Sequence, residues 1–506
     1  MRIIKKIVNV MFSRLFIVAV MLVLQIALFV ITVYYFSQQY FNFYIFCYVL
    51  SVLVLLAMIS RHENPEFKIT WIIAIMMFPL VGGVFYLFLS KRSNPAKLER
   101  QIEEAHLAVH RWMPRGNIKL DDPRDMLQCE YIQRVTGYSL CENTSAEYFQ
   151  VGEDMFKQML EELKTAKHYI FMEYFIISPG IMFDSILEIL KEKAAAGVQV
   201  YLMYDDVGSI STISRKYRKA ITAAGIKVCV FNSFRPHVSM VLNHRDHRKI
   251  TVVDGKTAFC GGINLADEYI NRHDRFGHWK DTGVMLKGEA VRAFVLMFIQ
   301  QWQFAMHENM EVDEFLAHCE ARPSDGKFLV FGDSPLDNYN VTETAYINSI
   351  HLAKRYIYIT TPYLIIDFSM MQALCNAALS GVDVRIYTPC RYDKWYVHML
   401  TRSNYAQLIR SGVKIFEYTP GFIHGKMLVS DDSTSIVGTC NMDFRSFHLH
   451  FECSVLMYDC SVVDAVKDDM LDCQEHSHEI SLEDALKVSL WHRVVRSLLR
   501  LFAPMM

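Results

Sequence analysis

Three apolar runs crowd the start of the chain: 15–36, 41–60 and 70–90. At about 1.5 Å of rise per helical residue, each is long enough to span a bilayer core. Only Gln25 and Thr32 interrupt the first, and the third contains Pro79 and the pair Gly82-Gly83. Beyond about residue 110 the pattern changes. Short β-branched runs alternate with polar helical stretches, which predicts a mixed α/β region. That region repeats itself. A-K-H-Y-I-F-M-E-Y (166–174) parallels A-K-R-Y-I-Y-I-T-T (353–361), and A-G-V-Q-V-Y-L-M-Y (196–204) parallels S-G-V-D-V-R-I-Y-T (380–388). A-G-I-K-V-C-V-F (224–231) likewise parallels S-G-V-K-I-F-E-Y (411–418). Glycine closes a helix before each strand, as αβ units require. The repeat period far exceeds that of a solenoid and indicates a duplicated domain, two similar halves facing each other. The expected organisation is a membrane anchor over 1–92, a linker over 93–145, half one over 146–325, half two over 326–480 and a C-terminal helix over 481–506.

Composition sharpens this picture. A chain of 506 residues suits two or three domains, and 52% hydrophobic residues is high for a soluble enzyme. Lys and Arg number 52 against 54 for Asp and Glu, so the bulk charge gives no nucleic-acid signature. The 12 cysteines contain no C-x-x-C pair, which points to free thiols rather than a zinc ribbon or disulfide framework. Arg2, Lys5, Lys6 and Arg14 precede the first apolar run and predict a cytoplasmic N-terminus. Lys91, Arg92, Lys97 and Arg100 follow the third run, so both flanks are basic. A re-entrant third segment, bent at its Pro and Gly, would reconcile the two flanks and leave the catalytic region cytoplasmic on a multi-pass membrane protein.

The chemistry sits in a pattern that occurs twice. H-R-K-I-T-V-V-D (247–254) and H-G-K-M-L-V-S-D (424–431) share His, Lys at plus two and Asp at plus seven. In a strand, residues i and i+2 share a face, so His247 projects with Lys249, and His424 with Lys426. Asp254 and Asp431 fall at the far end of each strand, opening a turn. Asn264 follows His247 at the same offset as Asn441 follows His424. Two imidazoles, two ammonium groups and two amides in one pocket suit a phosphate diester. Cations and amides stabilise its non-bridging oxygens as charge builds. One neutral imidazole attacks phosphorus, and the other protonates the departing alkoxide and then deprotonates the incoming alcohol. No acidic cluster at metal-ligand spacing accompanies the motif, so a metal-independent double displacement without cofactor is expected. H-F-E-C-S-V-L-M (450–457) aligns with W-K-D-T-G-V-M-L (279–286), making Glu452 and Asp281 the expected acceptors for the imidazole Nδ1–H groups.

These residues resemble the phospholipase D superfamily, whose hallmark is the duplicated His-Lys-Asp motif. N-H-R-D-H-R-K-I-T-V-V-D-G, G-G-I-N-L-A-D-E-Y, H-W-K-D-T and Y-D-D-V-G-S narrow the resemblance to the bacterial cardiolipin synthases. T-P-Y-L-I, G-F-I-H-G-K and G-T-C-N-M-D-F-R-S-F do the same, and N-P-E-F-K-I-T-W with P-L-V-G-G-V-F-Y-L resembles that family's anchor segment. The resemblance implies two phospholipase D-like α/β/α halves packed face to face. It also implies conversion of two phosphatidylglycerols to cardiolipin and glycerol through a phosphatidyl-histidine, at a bacterial cell membrane. Phosphatidylglycerol, cardiolipin and the bilayer are then the partners, and nucleic acid is not. Three departures stand out: Gly262 and Thr439 replace a common Ser, where they are expected to tune phosphate contacts; Ile366 replaces a Pro; and the run 15–36 is additional.

Either histidine could attack, since the halves are near equivalents; the preferred assignment is His247 as nucleophile and His424 as acid/base. A hydrolytic phospholipase D shares every motif. A nuclease would want a basic groove and no anchor, and a non-enzymatic scaffold would want a degenerate motif. The tail S-L-W-H-R-V-V-R-S-L-L-R-L-F (489–502) places Trp491, Val494, Val495, Leu498, Leu499, Leu501 and Phe502 largely opposite His492, Arg493, Arg496 and Arg500. Such a helix suits either an anionic membrane surface or packing on the protein's own core.

Overall fold

The computed structural model describes residues 41–60, 65–77, 111–113, 118–233, 244–337 and 339–505, with isolated positions at 27, 31, 34, 35, 86 and 100. It divides into an N-terminal unit (1–94 with 234–242) and a larger unit containing everything else.

In the N-terminal unit, helices Phe41–Ile59 and Pro65–Met77 pack together around Val54, Met58, Ile75 and Tyr86. Trp71 meets Tyr86 edge-on at 5.6 Å between ring centroids. Phe41–Ile59 has 19 residues, but its described side chains begin at Ile45. Among the described residues no helix is long and apolar enough to cross a membrane. The apolar run 15–36 lies outside the described residues but for four positions, and most of 78–90 does too.

The larger unit contains two sheets built alike. The first half supplies β1 (Thr144–Phe149), β2 (Tyr169–Tyr174), β3 (Gln199–Asp205), β4 (Lys227–Phe231), β5 (Arg245–Asp246), β6 (Lys249–Val253), β7 (Thr257–Gly261), β8 (His278–Lys280) and β9 (Gly283–Gly288). The second supplies β10 (Lys327–Asp333), β11 (Tyr356–Thr360), β12 (Leu364–Ile365), β13 (Asp383–Pro389), β14 (Lys414–Tyr418), β15 (Gly421–Ile423), β16 (Met427–Ser430), β17 (Thr434–Gly438), β18 (Met442–Asp443), β19 (His450–Tyr458) and β20 (Ser477–Glu479). The first sheet runs β1-β9-β7-β6-β2-β3-β4 and the second β10-β19-β17-β16-β11-β13-β14-β20. Strand for strand the order is the same, with β20 added at one edge. Parallel β2-β3-β4 and β11-β13-β14 carry the αβ units, and most of their residues are buried on both faces.

The halves are interlocked. β5 of the first half pairs in parallel with β19 of the second, and β15 of the second pairs with β8 of the first. The helix Val291–Met306 is buried over most of its length, which fits its nearly all-apolar sequence. It belongs to a core shared by both halves, in which Cys260 and Cys453 approach to 3.6 Å as free thiols. Every cysteine whose side chain is described is a free thiol.

The motif aspartates take part in this architecture. Asp254 accepts hydrogen bonds from the backbone N–H groups of Lys167, His168 and Tyr169 at 2.7, 2.8 and 2.8 Å. Asp431 does the same for Lys354, Arg355 and Tyr356 at 2.6, 2.8 and 3.0 Å. Each carboxylate thus fastens the entry of the neighbouring strand, β2 or β11, to the end of its own. Both have positive φ, 50° and 55°, a conformation that Asp tolerates better than bulkier residues.

Removing this clamp has a measurable cost. Asp254→Ala strands three backbone donors and is expected to lower stability by about 2–3 kcal/mol, read as a fall in the urea midpoint. An unchanged midpoint would refute the anchoring role.

Candidate active site

The interlock brings both motif histidines to one cavity of about 460 Å³, which His247, His424, Asn264 and Asn441 all line. Each backbone is held by the opposite half: His247 N–H donates to the Phe451 carbonyl at 3.0 Å, and His424 N–H to the Lys280 carbonyl at 2.7 Å. The side chains cross over in the same way. His247 Nδ1 lies 2.8 Å from Glu452 Oε1, and His424 Nδ1 lies 2.6 Å from Asp281 Oδ2. Both carboxylates are fully buried. An ionised carboxylate can only accept, so Nδ1 carries the proton and Nε2 keeps its lone pair.

The acids are themselves held. Asp281 accepts from the Thr282 N–H at 2.9 Å and from the Trp279 indole at 3.4 Å. Thr439 donates its hydroxyl to the second oxygen of Glu452. Gly262 leaves room for Asp281: a Cβ there would fall 2.0 Å from its Oδ1. The two non-Ser turn residues were expected to tune phosphate contacts. The structure corrects this, since both act on the orienting acids, one by a hydrogen bond and one by absence.

The other expected residues divide. Lys249 and Lys426 are buried behind the cavity wall, each ammonium donating to the carbonyl of the histidine two residues earlier. Asn264 is committed, accepting from Ile176 N–H at 3.0 Å and donating to the Tyr269 hydroxyl at 2.8 Å. Asn441 has a buried side-chain oxygen with no partner, an acceptor open to a ligand hydroxyl. Asp254 and Asp431 are not in the cavity; they were grouped with the catalytic residues, and their geometry is that of strand clamps.

Burial is the main influence on every charge here. It pushes His247 well below the usual imidazole range, with Lys249 and Lys426 adding to the effect. His424 falls to about 4 through burial and Lys426, against the opposing pull of Asp281. Lys426 drops to about 7, chiefly by burial. Burial alone would raise Asp281, but His424 and Lys426 hold it below its ordinary value. Both imidazoles are therefore neutral at pH 7, and a bound phosphate would favour positive charge around itself.

Sequence reasoning missed several wall residues, including Phe175, Tyr363, Lys394, Arg445 and His450. His450 is buried, its ring centroid 5.1 Å from that of His247, and neither ring nitrogen has a hydrogen-bond partner. No sequence spacing announces it, because β5–β19 pairing alone brings it beside His247. His247, His450 and Glu452 also offer donor atoms all within 4.8 Å of one another, a grouping able to hold a metal ion that the linear spacing did not reveal.

Buried neutral histidines make stability depend on acid. His424 at about 4, His398 and His448 at about 4, and His450 at about 3 are all held down mainly by burial. The unfolded chain protonates near 6.5 and the folded one only near those lower values. Stability is therefore full above about pH 6.5 and is lost as pH falls toward 4. The melting temperature should drop over that window, and His450→Gln should flatten the slope. Melting independent of pH from 7 to 4.5 would contradict it.

The comparisons with known proteins agree with this geometry. Residues 159–284 and 346–473 match the family described as cardiolipin synthase, PLD-like domain, and 49–91 match the phospholipase D-nuclease N-terminal family. An uncharacterised protein of Streptococcus mutans is 38% identical over 450 residues, 87% of this chain and 96% of that protein. A cardiolipin synthase of Halalkalibacterium halodurans is 32% identical over 459 residues, 88% of this chain and 90% of that one. Among solved structures, phosphatidylserine synthase from Haemophilus influenzae superposes with a TM-score of 0.54 at 14% identity, over 71% of this chain and 93% of that one; at that identity the likeness speaks to the fold alone. With a duplicated family match in the two interlocked halves and a cardiolipin synthase relative aligned along most of both chains, the chain belongs to the cardiolipin synthase family of phospholipase D-like proteins.

Proposed function

We propose that the chain is a phosphatidyltransferase that converts two phosphatidylglycerols to cardiolipin and glycerol. The observation that carries the reading is the crossed pair of imidazole–carboxylate contacts at one cavity. Its cardiolipin synthase relatives supply the substrate class.

His247 is the nucleophile. With the phosphate bound, His424 carries a second proton at Nε2; His247 Nε2 attacks phosphorus while the bond to the glycerol oxygen breaks, and His424 gives that oxygen its Nε2 proton. Phosphatidyl-His247 and glycerol result. His424 then takes the proton of a second phosphatidylglycerol's hydroxyl, whose oxygen attacks phosphorus and releases His247. The assignment is favoured by environment. Burial and the two lysines disfavour a proton on both imidazoles; His424 adds to this at His247, and Asp281 opposes it at His424. The charges of Lys249 and Lys426, set behind the cavity wall, favour the phosphate as negative charge builds on it. No step is routed through a metal.

The N-terminal unit associates with the bacterial cell membrane. This is supported by the family match over 49–91 and by exposed Phe46, Leu53, Leu56 and Ile59 on the Phe41–Ile59 helix. The catalytic unit faces the cytoplasm, a reading supported by the basic flanks and the free thiols.

The test is mass spectrometry of products from purified protein and phosphatidylglycerol. Cardiolipin and glycerol are expected. Phosphatidic acid without cardiolipin would make the enzyme a hydrolase. His424→Ala should slow turnover by roughly 10²–10⁴-fold, and His247→Ala should also abolish the covalent phosphatidyl adduct trapped by acid quench. An adduct on position 424 in wild type would reverse the roles.

A further inference from the structure

The C-terminal helix Leu490–Arg500 has eleven residues and buries none of them. Leu490 is 78% exposed, Trp491 71%, Leu498 54% and the following Phe502 50%. Val495, Leu499 and Leu501 are half-buried, but Leu490, Trp491, Val494, Leu498 and Phe502 stay exposed, so the protein's own core covers only one edge of the apolar stripe. The helix is nonetheless held in place. Arg500 reaches the Ser403 carbonyl at 3.4 Å and Asn404 Oδ1 at 3.3 Å, on the helix Trp395–Arg410.

Three guanidinium groups gather along that contact. Arg402 is paired with Glu417 at 2.7 Å and Arg500 meets neutral groups, while the Arg496 Nε is buried with no partner. Burial, then the charges of Arg402 and Arg500, holds the Arg496 pKa down. Of these three arginines only Arg402 is paired with a carboxylate among the described residues. Their position matters as well. Arg500 lies beside residues 403 and 404, and Arg496 interacts with Arg402 and His398, so the two helices run in the same sense. Leu490 and Trp491 are thereby carried toward the start of the Trp395–Arg410 helix. There Lys394, Tyr396 and Val397 line the cavity and Trp395 is itself 54% exposed.

We propose that this helix docks on an anionic phospholipid bilayer, its Leu490–Trp491–Leu498 stripe among the acyl chains and Arg496 on a headgroup phosphate, holding the cavity at headgroup level. The partner follows from charge and shape together: an amphipathic helix with exposed Trp and Leu and three nearby arginines fits a surface that is apolar within and anionic at its rim. This rests on the phospholipid reading of the cavity, and the test separates the two.

Full-length His424→Ala protein, with turnover suppressed, is reconstituted in vesicles of phosphatidylglycerol or of phosphatidylcholine. Each carries lipids brominated near the headgroup end of the acyl chains. Tryptophan fluorescence is compared with that of the same protein carrying Trp491→Phe. The Trp491 component should be quenched by roughly twofold or more in phosphatidylglycerol and little in phosphatidylcholine. Arg496→Gln should reduce the quenching. So should raising salt from 0.1 to 1 M, which shortens screening from about 10 to about 3 Å without any substitution. No Trp491 component, or equal quenching in both lipids, would overturn the proposal. So would a Trp491 shielded from both lipids that cross-links to a second copy of the chain.

Discussion

The site depends on one crossed arrangement. Each half contributes a histidine that the other half orients, Glu452 behind His247 and Asp281 behind His424. Neither half can make a working imidazole alone, because the carboxylate that fixes its tautomer is on the far chain segment. The backbone enforces the same exchange, since β5 joins β19 and β15 joins β8. Duplication thus yields a single site rather than two, and separating the halves by even a small slip would lengthen both contacts at once.

Around that frame the electrostatics are unbalanced. Two buried lysines and two buried histidines face two buried carboxylates, and burial drives the imidazoles and lysines toward neutrality. A bound phosphodiester would oppose that drift, raising Lys426 from about 7 and stabilising a proton on the acid histidine. The same burial that prepares the chemistry makes the folded chain sensitive to acid.

The halves are not equal copies. Asp281 is short and needs the space that Gly262 leaves, while the longer Glu452 reaches past Thr439 and takes its hydroxyl. His450 stands 3.6 Å from Glu452, whereas the aligned position on the other side is Trp279, whose indole donates to Asp281 at 3.4 Å. These differences give the two histidines different surroundings, which is the physical ground for giving them different roles.

The sequence by itself determined much of this. His-x-Lys spacing on a β-prone run, repeated with matched Asn offsets, located six of the site's side chains, and the αβ repeat prescribed two sheets of like order. Local periodicity and duplication survive in a linear pattern, so they are legible. The alignment of Asp281 with Glu452 identified two acids but not which imidazole each would hold. That pairing, the arrival of His450 beside His247 and the retreat of Asp254 and Asp431 into strand clamps were decided only in three dimensions. The reason is that strand pairing between distant segments leaves no trace in spacing. Amphipathicity likewise marked the 489–502 tail as two-faced, but only packing could decide that most of its apolar face stays exposed.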